Sequence, residues 1–269
     1  MDAKLQLRVQ RYGWDAAAPY YEDGWASRLA KAHATLLDLA DLREGQSVLE
    51  IACGSGIVTR KIASTVGERG RVLATDLAQK MVDATAALGL PNVGAARMNA
   101  EALEVAHAEF DRAVCALGLM YPPDPAKALR EMRRALRPGG RATATVWGER
   151  RRCRWADIFE IVDRQVRSEV CPMFFALGAK EALHLDFERA GFVDIEERRQ
   201  FETLEFPNER SLLDAILLGG PIALAVSRFT DDQMQEVSEE FLASVSEFRS
   251  PAGGYAIPGE FVTVAGNVA

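Results

Sequence analysis

The sequence predicts an α/β fold built around a mostly parallel sheet. Short apolar runs predict strands near 47–52, 71–75, 93–97, 111–116 and 141–147. Segments with helical character near 57–66, 78–88 and 125–136 lie between them. This alternation is typical of a parallel sheet with helices on both faces. A glycine-containing turn directly after the first strand is the third observation that favours this class.

The helix near 125–136 has clear signals at both ends. Asp124 can accept hydrogen bonds from the first backbone N–H groups, and Pro125 suits the first helical position. The sequence Pro138-Gly139-Gly140 then ends the helix before the next strand. Further along the chain, we expect a helix near 181–190, a strand over 192–199 and a last strand over 255–266.

The turn after the first strand predicts a nucleoside site. Gly54 and Gly56 lack Cβ atoms, so the backbone can approach a ligand closely. Asp76 ends the second strand, 76 − 54 = 22 residues beyond Gly54, close to the roughly 20 residues that separate the two parts of a β-α-β nucleoside site. Its carboxylate can accept hydrogen bonds from both hydroxyls of a ribose.

The glycine pattern differs from the dinucleotide fingerprint G-x-G-x-x-G. Ala52 stands in place of the first glycine and Thr59 in place of the last. Glu50 lies near the expected ligand, where a carboxylate suits an ammonium group better than a phosphate. The pattern therefore favours S-adenosylmethionine over NAD as the cofactor.

Several further motifs occur in a characteristic order. They are Trp14-Asp15-Ala16-Ala17-Ala18-Pro19-Tyr20-Tyr21, the glycine turn, Ala74-Thr75-Asp76-Leu77 with Met81, Asn99-Ala100-Glu101-Ala102-Leu103, the segment 110–115 and the segment 128–140. With these motifs the chain resembles, over nearly its whole length, the class I S-adenosylmethionine-dependent methyltransferases. The specific resemblance is to the subgroup of ubiquinone/menaquinone-biosynthesis C-methyltransferases and their small-molecule relatives.

The resemblance implies a Rossmann-like, seven-stranded, mostly parallel sheet whose last strand is antiparallel, and it assigns a cofactor site. Glu50 and the backbone near Gly54 would face the methionine ammonium, and Asp76 would face the ribose. Asn99, where the family usually has Asp, would meet the adenine edge through its amide oxygen. The full cofactor set is Tyr21, Glu50, Ala52, Gly54, Gly56, Asp76, Leu77, Met81, Asn99, Ala100, Glu101 and Cys115.

Four regions are expected along the chain. Residues 1–45 form an N-terminal helical cap, 46–200 the cofactor-binding core, 201–254 a helical lid insertion, and 255–269 the final edge strand. Asn208 and Thr230 can each cap a lid helix. A helix near 25–40 and the segment 154–176 would complete the lid over the strand C-termini, where open α/β sheets bind ligands.

The acceptor pocket is expected among aromatic and apolar residues outside the shared motifs. The predicted set is Tyr20, Trp25, Met120, Tyr121, Trp147, Phe174 and Leu217, with Trp155 and Phe175 nearby. For any one of these residues, ordinary core packing is the competing interpretation. Together they favour a hydrophobic or aromatic acceptor.

Composition and charge limit the other function classes. The net charge of −7 argues against a general nucleic-acid binder. The arginine-rich run at 149–154 is interpreted as solvated surface, with a phosphate-bearing acceptor or a partner as the alternative. Residues 1–10 are polar and the apolar run 215–226 is too short to span a membrane, so we expect a cytoplasmic protein, with a homodimer left open.

Neither a metal site nor a catalytic base is assigned from the sequence. Cys53, Cys115, Cys153 and Cys171 have no paired metal-ligand spacing and are interpreted as small buried apolar residues. The histidines at 33, 107 and 184 are interpreted as packing or surface residues.

The sequence thus predicts an enzyme that methylates a small, hydrophobic or aromatic acceptor at carbon, oxygen or nitrogen and releases S-adenosylhomocysteine. The alternative is a protein that binds S-adenosylmethionine without methyl transfer, as a binding module or a cyclase. An NAD-dependent oxidoreductase is disfavoured by Ala52 and Thr59. No motif identifies the acceptor, the methylated atom or the pathway.

Overall fold

The computed structural model describes residues 2–166 and 174–269, and its centre is a seven-stranded sheet in the order β3-β2-β1-β4-β5-β7-β6. Strands β1 to β5 are paired in parallel, and β7 is antiparallel to both of its neighbours. The strands are β1 (Ser47–Ile51), β2 (Arg71–Asp76), β3 (Val93–Arg97), β4 (Phe110–Ala116), β5 (Leu136–Trp147), β6 (Val193–Phe206) and β7 (Tyr255–Asn267). The α/β class and the mostly parallel sheet predicted from the sequence are confirmed.

Ten α-helices are found within the described residues. They are α1 (Ala3–Trp25), α2 (Ala30–Ala40), α3 (Ile57–Val66), α4 (Gln79–Ala86), α5 (Pro125–Ala135), α6 (Asp157–Val166), α7 (Ala182–Arg189), α8 (Glu209–Leu213), α9 (Ala223–Val226) and α10 (Asp231–Ser244). A π-helical turn, Asp214–Leu218, follows α8. No helix in the described part of the chain is both long and apolar enough to cross a membrane.

Local sequence explains where several elements begin. All five residues of β1 are buried, as expected of a central parallel strand. Asp124 Oδ1 accepts a hydrogen bond from Lys127 N at 2.9 Å and caps α5. Asn208 and Thr230 form capping boxes at α8 and α10. These three sequence predictions are confirmed.

The N-terminal region differs from the sequence prediction. In place of one lid helix near 25–40 the structure has α1 and α2. Helix α2 packs on the sheet against β4, β5 and β7, so it is not part of a lid. Helix α1 packs against α4, α9 and the π-helical turn. Pro19, Gly13 and Gly24 lie inside α1 and weaken its helical signal in the sequence.

The end of the sheet also needs two corrections. Strand β6 continues to Phe206, six residues into the range predicted as lid. The last strand of the chain is not the edge strand, because β7 lies between β5 and β6 and leaves β6 at the edge. A smaller difference is that β5 begins at Leu136, which pairs with Phe110, five residues before the predicted start.

Candidate functional site

A cleft of about 750 Å³, counting the solvent at its mouth, lies at the carboxyl ends of β1, β2 and β4 beneath α1. It is lined by Leu7, Gln10, Trp14, Tyr21, Ile51, Ala52, Gly54, Asp76, Leu77, Met81, Met98, Asn99, Ala100, Cys115, Ala116, Leu117, Gly118, Leu119, Tyr121 and Pro122.

Most of the cofactor residues predicted from the sequence line this cleft. Those that do are Tyr21, Ala52, Gly54, Asp76, Leu77, Met81, Asn99, Ala100 and Cys115. Glu50, Gly56 and Glu101 do not line it. The structure therefore brings together the ends of β1, β2 and β4 and the residues Asn99 and Ala100 after β3. These segments are widely separated along the chain.

Asp76 holds the glycine turn against the end of β2. Its Oδ2 accepts a hydrogen bond from Gly54 N at 3.0 Å, and its Oδ1 accepts one from Ala78 N at 2.9 Å. Removal from water raises the pKa of this carboxyl to about 6, against the opposing effect of the backbone N–H donors. Asp76 therefore keeps the turn in shape and also presents a carboxylate to the cleft.

Glu50 lies beneath the glycine turn and is only 1% exposed. Burial raises the pKa of its carboxyl to about 8, and the nearby hydroxyl of Thr59 opposes this shift. Oε2 of Glu50 and Oγ1 of Thr59 both lack a well-formed hydrogen bond to the described residues. A buried carboxyl in this state is available to a bridging water or to a donor group of a ligand.

The floor of the cleft contains two residues in the left-handed backbone region. Ala52 has φ 54° and Leu117 has φ 57°, and each follows a strand end in the centre of the sheet. A non-glycine residue in this region costs about 1–2 kcal/mol. Such strain persists where the surrounding structure fixes the backbone, which is common at ligand sites.

Helix α1 forms the roof of the cleft with one face. Leu7, Gln10, Trp14 and Tyr21 recur at helical spacing and all line the cleft. The ring of Trp14 makes edge contacts with Tyr21 at 5.6 Å and with Tyr121 at 5.1 Å between centroids. Sequence analysis identified Tyr21 but missed the other three, because their helical spacing indicates a shared helix face but not what that face covers.

Asn99 and Glu101 have local structural partners. Oδ1 of Asn99 accepts a hydrogen bond from Glu101 N at 3.0 Å, so the amide also shapes its own turn. The carboxylate of Glu101 accepts one from Asp124 N at 2.6 Å. Glu101 thus fixes the loop before α5, which explains why it does not reach the cleft.

Most of the predicted acceptor residues belong to the core instead. Of that set, Tyr121 alone lines the cleft, while Tyr20 is 44% exposed on the outside of α1. The remaining members are Trp25, Met120, Trp147, Phe174 and Leu217, all at most 5% exposed. Several of the aromatic rings pack against one another, as in the Trp147–Trp155 contact at 4.8 Å. Their aromatic character reflects core packing, the competing interpretation in the sequence analysis.

Other candidate groups have structural partners. The arginines of the basic run pair with acids of the same chain, in the pairs Arg150–Glu160, Arg151–Glu149, Arg152–Glu149 and Arg154–Glu247. These pairs support the interpretation of the run as solvated surface. None of the three histidines lines the cleft.

The described cysteines at 53, 115 and 153 are buried free thiols, as expected, and Cys171 lies outside the described residues. Burial raises the pKa of Cys115, which lines the cleft, to about 12. No group of three or more metal-ligating side chains is found among residues 2–166 and 174–269.

Residues 48–140, from β1 into β5, match a protein family described as "Methyltransferase domain". A 110-residue segment is 40% identical to the ubiquinone/menaquinone biosynthesis C-methyltransferase UbiE of Klebsiella pneumoniae, covering 39% of this chain and 44% of that protein. The chain therefore matches less than half the length of these curated relatives.

Two solved structures share the fold over nearly all of this chain. Phosphoethanolamine N-methyltransferase 2 of Haemonchus contortus, in complex with S-adenosyl-L-methionine, has a TM-score of 0.61 and 17% identity, covering 95% of this chain and 57% of that one. The [4+2]-cyclase SpnF has a TM-score of 0.61 and 17% identity, covering 98% of this chain and 97% of that one.

Proposed function

We propose that this chain transfers a methyl group from S-adenosylmethionine to a small, hydrophobic or aromatic acceptor. The match of residues 48–140 to the methyltransferase domain family supports this proposal. The observation that carries the proposal is the cleft at the strand ends, where Asp76 and the turn at Gly54 meet beneath α1. Open α/β sheets bind nucleosides at this place.

The residues around the cleft fit the cofactor. Asp76 would accept hydrogen bonds from the ribose hydroxyls, and Leu77 with Met81 would cover the faces of the adenine. Asn99 would meet the adenine edge. The unsatisfied Oε2 of Glu50 suits the methionine ammonium, reached through a water molecule, since Glu50 does not line the cleft itself.

Methyl transfer requires geometry more than side-chain chemistry. The bound cofactor supplies an electrophilic methyl group on a sulfonium. The protein's part is to align the acceptor for in-line attack and to exclude water. Orienting the reactants in this way can lower the activation barrier by up to about 7–11 kcal/mol. Tyr21, Asp76, Cys115 and Tyr121 are the ionisable side chains that line the cleft.

The acceptor side of the cleft is apolar and uncharged. Leu7, Trp14, Leu117, Leu119 and Tyr121 line it, and the buried amide of Gln10 adds one polar group. No lysine or arginine lines the cleft within the described residues. A phosphorylated or carboxylated acceptor would find no cationic partner there, so a neutral, ring-containing acceptor fits best.

A second candidate is binding of S-adenosylmethionine without methyl transfer. The [4+2]-cyclase SpnF has the same fold over nearly the whole of this chain, and at 17% identity this likeness concerns the fold alone. Production of S-adenosylhomocysteine distinguishes the two candidates, because a binding module or cyclase does not form it.

The test begins with calorimetric titration of the full chain with S-adenosylmethionine, S-adenosylhomocysteine and NADH. We expect the two sulfur nucleosides to bind and NADH not to bind. An acceptor screen of aromatic and isoprenoid compounds, followed through S-adenosylhomocysteine, then tests transfer. A folded preparation that binds neither sulfur nucleoside would refute the proposal. We also propose a cytoplasmic location, and a homodimer stays an open prediction.

A further inference from the structure

Helix α1 has two opposite faces. One face, with Gln10 and Trp14, lines the cleft. At 3.6 residues per turn, Leu5 and Tyr12 lie about half a turn away from these residues, on the outer face. Leu5 is 40% exposed and Tyr12 is 49% exposed. Tyr20, at 44%, continues this outer face toward the end of the helix.

The first half of α1 is basic, and Lys4 and Arg8 are exposed there. Lys4, Arg8 and Arg11 fall within residues 3–14, whereas the acidic residues of this helix, Asp15, Glu22 and Asp23, follow in its second half. None of the three forms an ion pair with a described residue. Arg11 instead lies over the ring of Tyr12, with its guanidinium carbon 5.4 Å from the centroid.

We propose that the outer face of α1 docks on an anionic lipid bilayer. Helices that lie in the membrane interface combine exposed apolar side chains with flanking cations. Leu5 and Tyr12 would enter the headgroup region, and the long side chains of Lys4 and Arg8 would extend to the lipid phosphates. An anionic surface attracts this basic segment.

The docking places the cleft close to the lipid. The two faces of α1 are separated by the diameter of one helix, about 10 Å with side chains. A hydrophobic acceptor dissolved in the bilayer would pass around a single helix to reach Trp14 and Tyr121. This delivery role rests on the proposed function, but the docking itself does not depend on it.

Co-sedimentation of the full chain with vesicles tests the proposal. We expect binding to vesicles containing phosphatidylglycerol and little binding to pure phosphatidylcholine. Binding should fall several-fold between ~0.05 and ~0.5 M salt, because salt screens surface charges. Combining Leu5→Asp with Tyr12→Asp should lower the partition coefficient at least tenfold, and Arg8→Glu should lower it on the order of fivefold or more.

Leu185→Asp is the matched control, because Leu185 is 39% exposed on α7, away from α1. It should bind vesicles as the unchanged chain does. Calorimetry with S-adenosylmethionine on the same preparations shows whether each variant is folded, and it separates failure of docking from failure of the proposed function. The docking proposal is overturned if the chain does not bind anionic vesicles at low salt. It is also overturned if the double variant binds them as strongly as the unchanged chain. It is also overturned if light scattering shows that Leu5 and Tyr12 join two copies that do not bind lipid.

Discussion

A Cβ atom added to Gly118 would lie 2.4 Å from Cβ of Ala52 and 2.8 Å from Sγ of Cys115. Gly118 follows β4 and Ala52 follows β1, and these two strands are paired neighbours at the centre of the sheet. The two loops thus meet more closely than any side chain at position 118 allows. This contact forms the floor of the cleft.

We expect Gly118→Ala to lower the free energy of unfolding by about 1–3 kcal/mol, because both partner atoms belong to fixed strand ends. Urea denaturation measures this. Gly94→Ala is the control, since its new Cβ would find its nearest neighbour, a side-chain atom of Leu73, 3.9 Å away. Adding Ala52→Gly should recover part of the loss. Equal stability of the two alanine variants would contradict the close approach.

Cofactor affinity should depend on pH through Asp76. The pKa of this carboxyl is raised to about 6 from 3.8, so the stability that this group contributes to the unliganded fold is present below 3.8 and is lost as the pH rises through about 6. A cationic cofactor favours the ionised form. We therefore expect affinity for S-adenosylmethionine, measured by calorimetry, to increase as the pH is raised through about 6.

Asp76→Asn should weaken this binding by roughly 10- to 100-fold, an order of magnitude per ~1.4 kcal/mol, and should flatten its pH dependence. The fold should survive, because the amide oxygen still accepts one of the two backbone hydrogen bonds. Asp83→Asn on the exposed side of α4 is the control and should leave binding unchanged. An unaltered pH profile in Asp76→Asn would assign the titration to a group other than Asp76.

His33 should make the protein sensitive to acid. Burial on α2, aided by the charge of Lys61, lowers the pKa of His33 to about 4 from 6.5. Between pH 6.5 and about 4, His33 is protonated in the unfolded chain but neutral in the folded chain. The free energy of unfolding therefore decreases as the pH falls from 6.5 toward 4. The full effect is about 3 kcal/mol at ~1.4 kcal/mol per pKa unit.

Replacing His33 by Leu should remove this part of the pH dependence of unfolding, as measured by urea denaturation between neutral and acid pH. His107→Leu, at an exposed position, should keep the slope of the unchanged chain. If both variants retain the slope, His33 is not the group responsible.

Trp25 should stabilise the fold through its indole N–H as well as through packing. Its Nε1 donates to the carbonyl oxygens of Ala215 at 3.2 Å and Gly219 at 2.9 Å, joining α1 to the π-helical turn and the residue after it. Trp25→Phe should cost about 1–3 kcal/mol beyond the loss of packing, since two buried acceptors lose their donor. Thermal or urea unfolding measures this cost.

Trp155→Phe provides the comparison. Trp155 is equally buried in the same aromatic cluster, but its Nε1 has no hydrogen-bond partner among the described residues. The second substitution should therefore be the milder one. A larger cost for Trp155→Phe would argue against the hydrogen-bonding role of Trp25.

The sequence predicted the local parts of the site well. The run from β1 through Gly54 and Gly56 into α3 and on to Asp76 is specified by neighbouring residues: an apolar strand, glycines with φ of 57° and 85°, and a helix over 57–66. Each of these signals arises within a few residues of the element it specifies. The parallel sheet, and most of the predicted residues that line the cleft, could therefore be found without the structure.

Which aromatic residues line the cleft and which belong to the core was decided by tertiary structure. By residue type, Trp25, Trp147 and Phe174 could line a binding pocket. Only the packing of Trp25 on Trp147, and of Phe174 on Trp155, shows that they belong to the core. The roof of the cleft is α1, whose helical signal in the sequence is weakened by Gly13, Pro19 and Gly24. Position 24 holds a glycine because a Cβ there would stand 3.0 Å from Cα of Ala215, almost two hundred residues later in the chain. Contacts of such sequence separation leave no periodic signal, so only the folded chain shows that α1 covers the site.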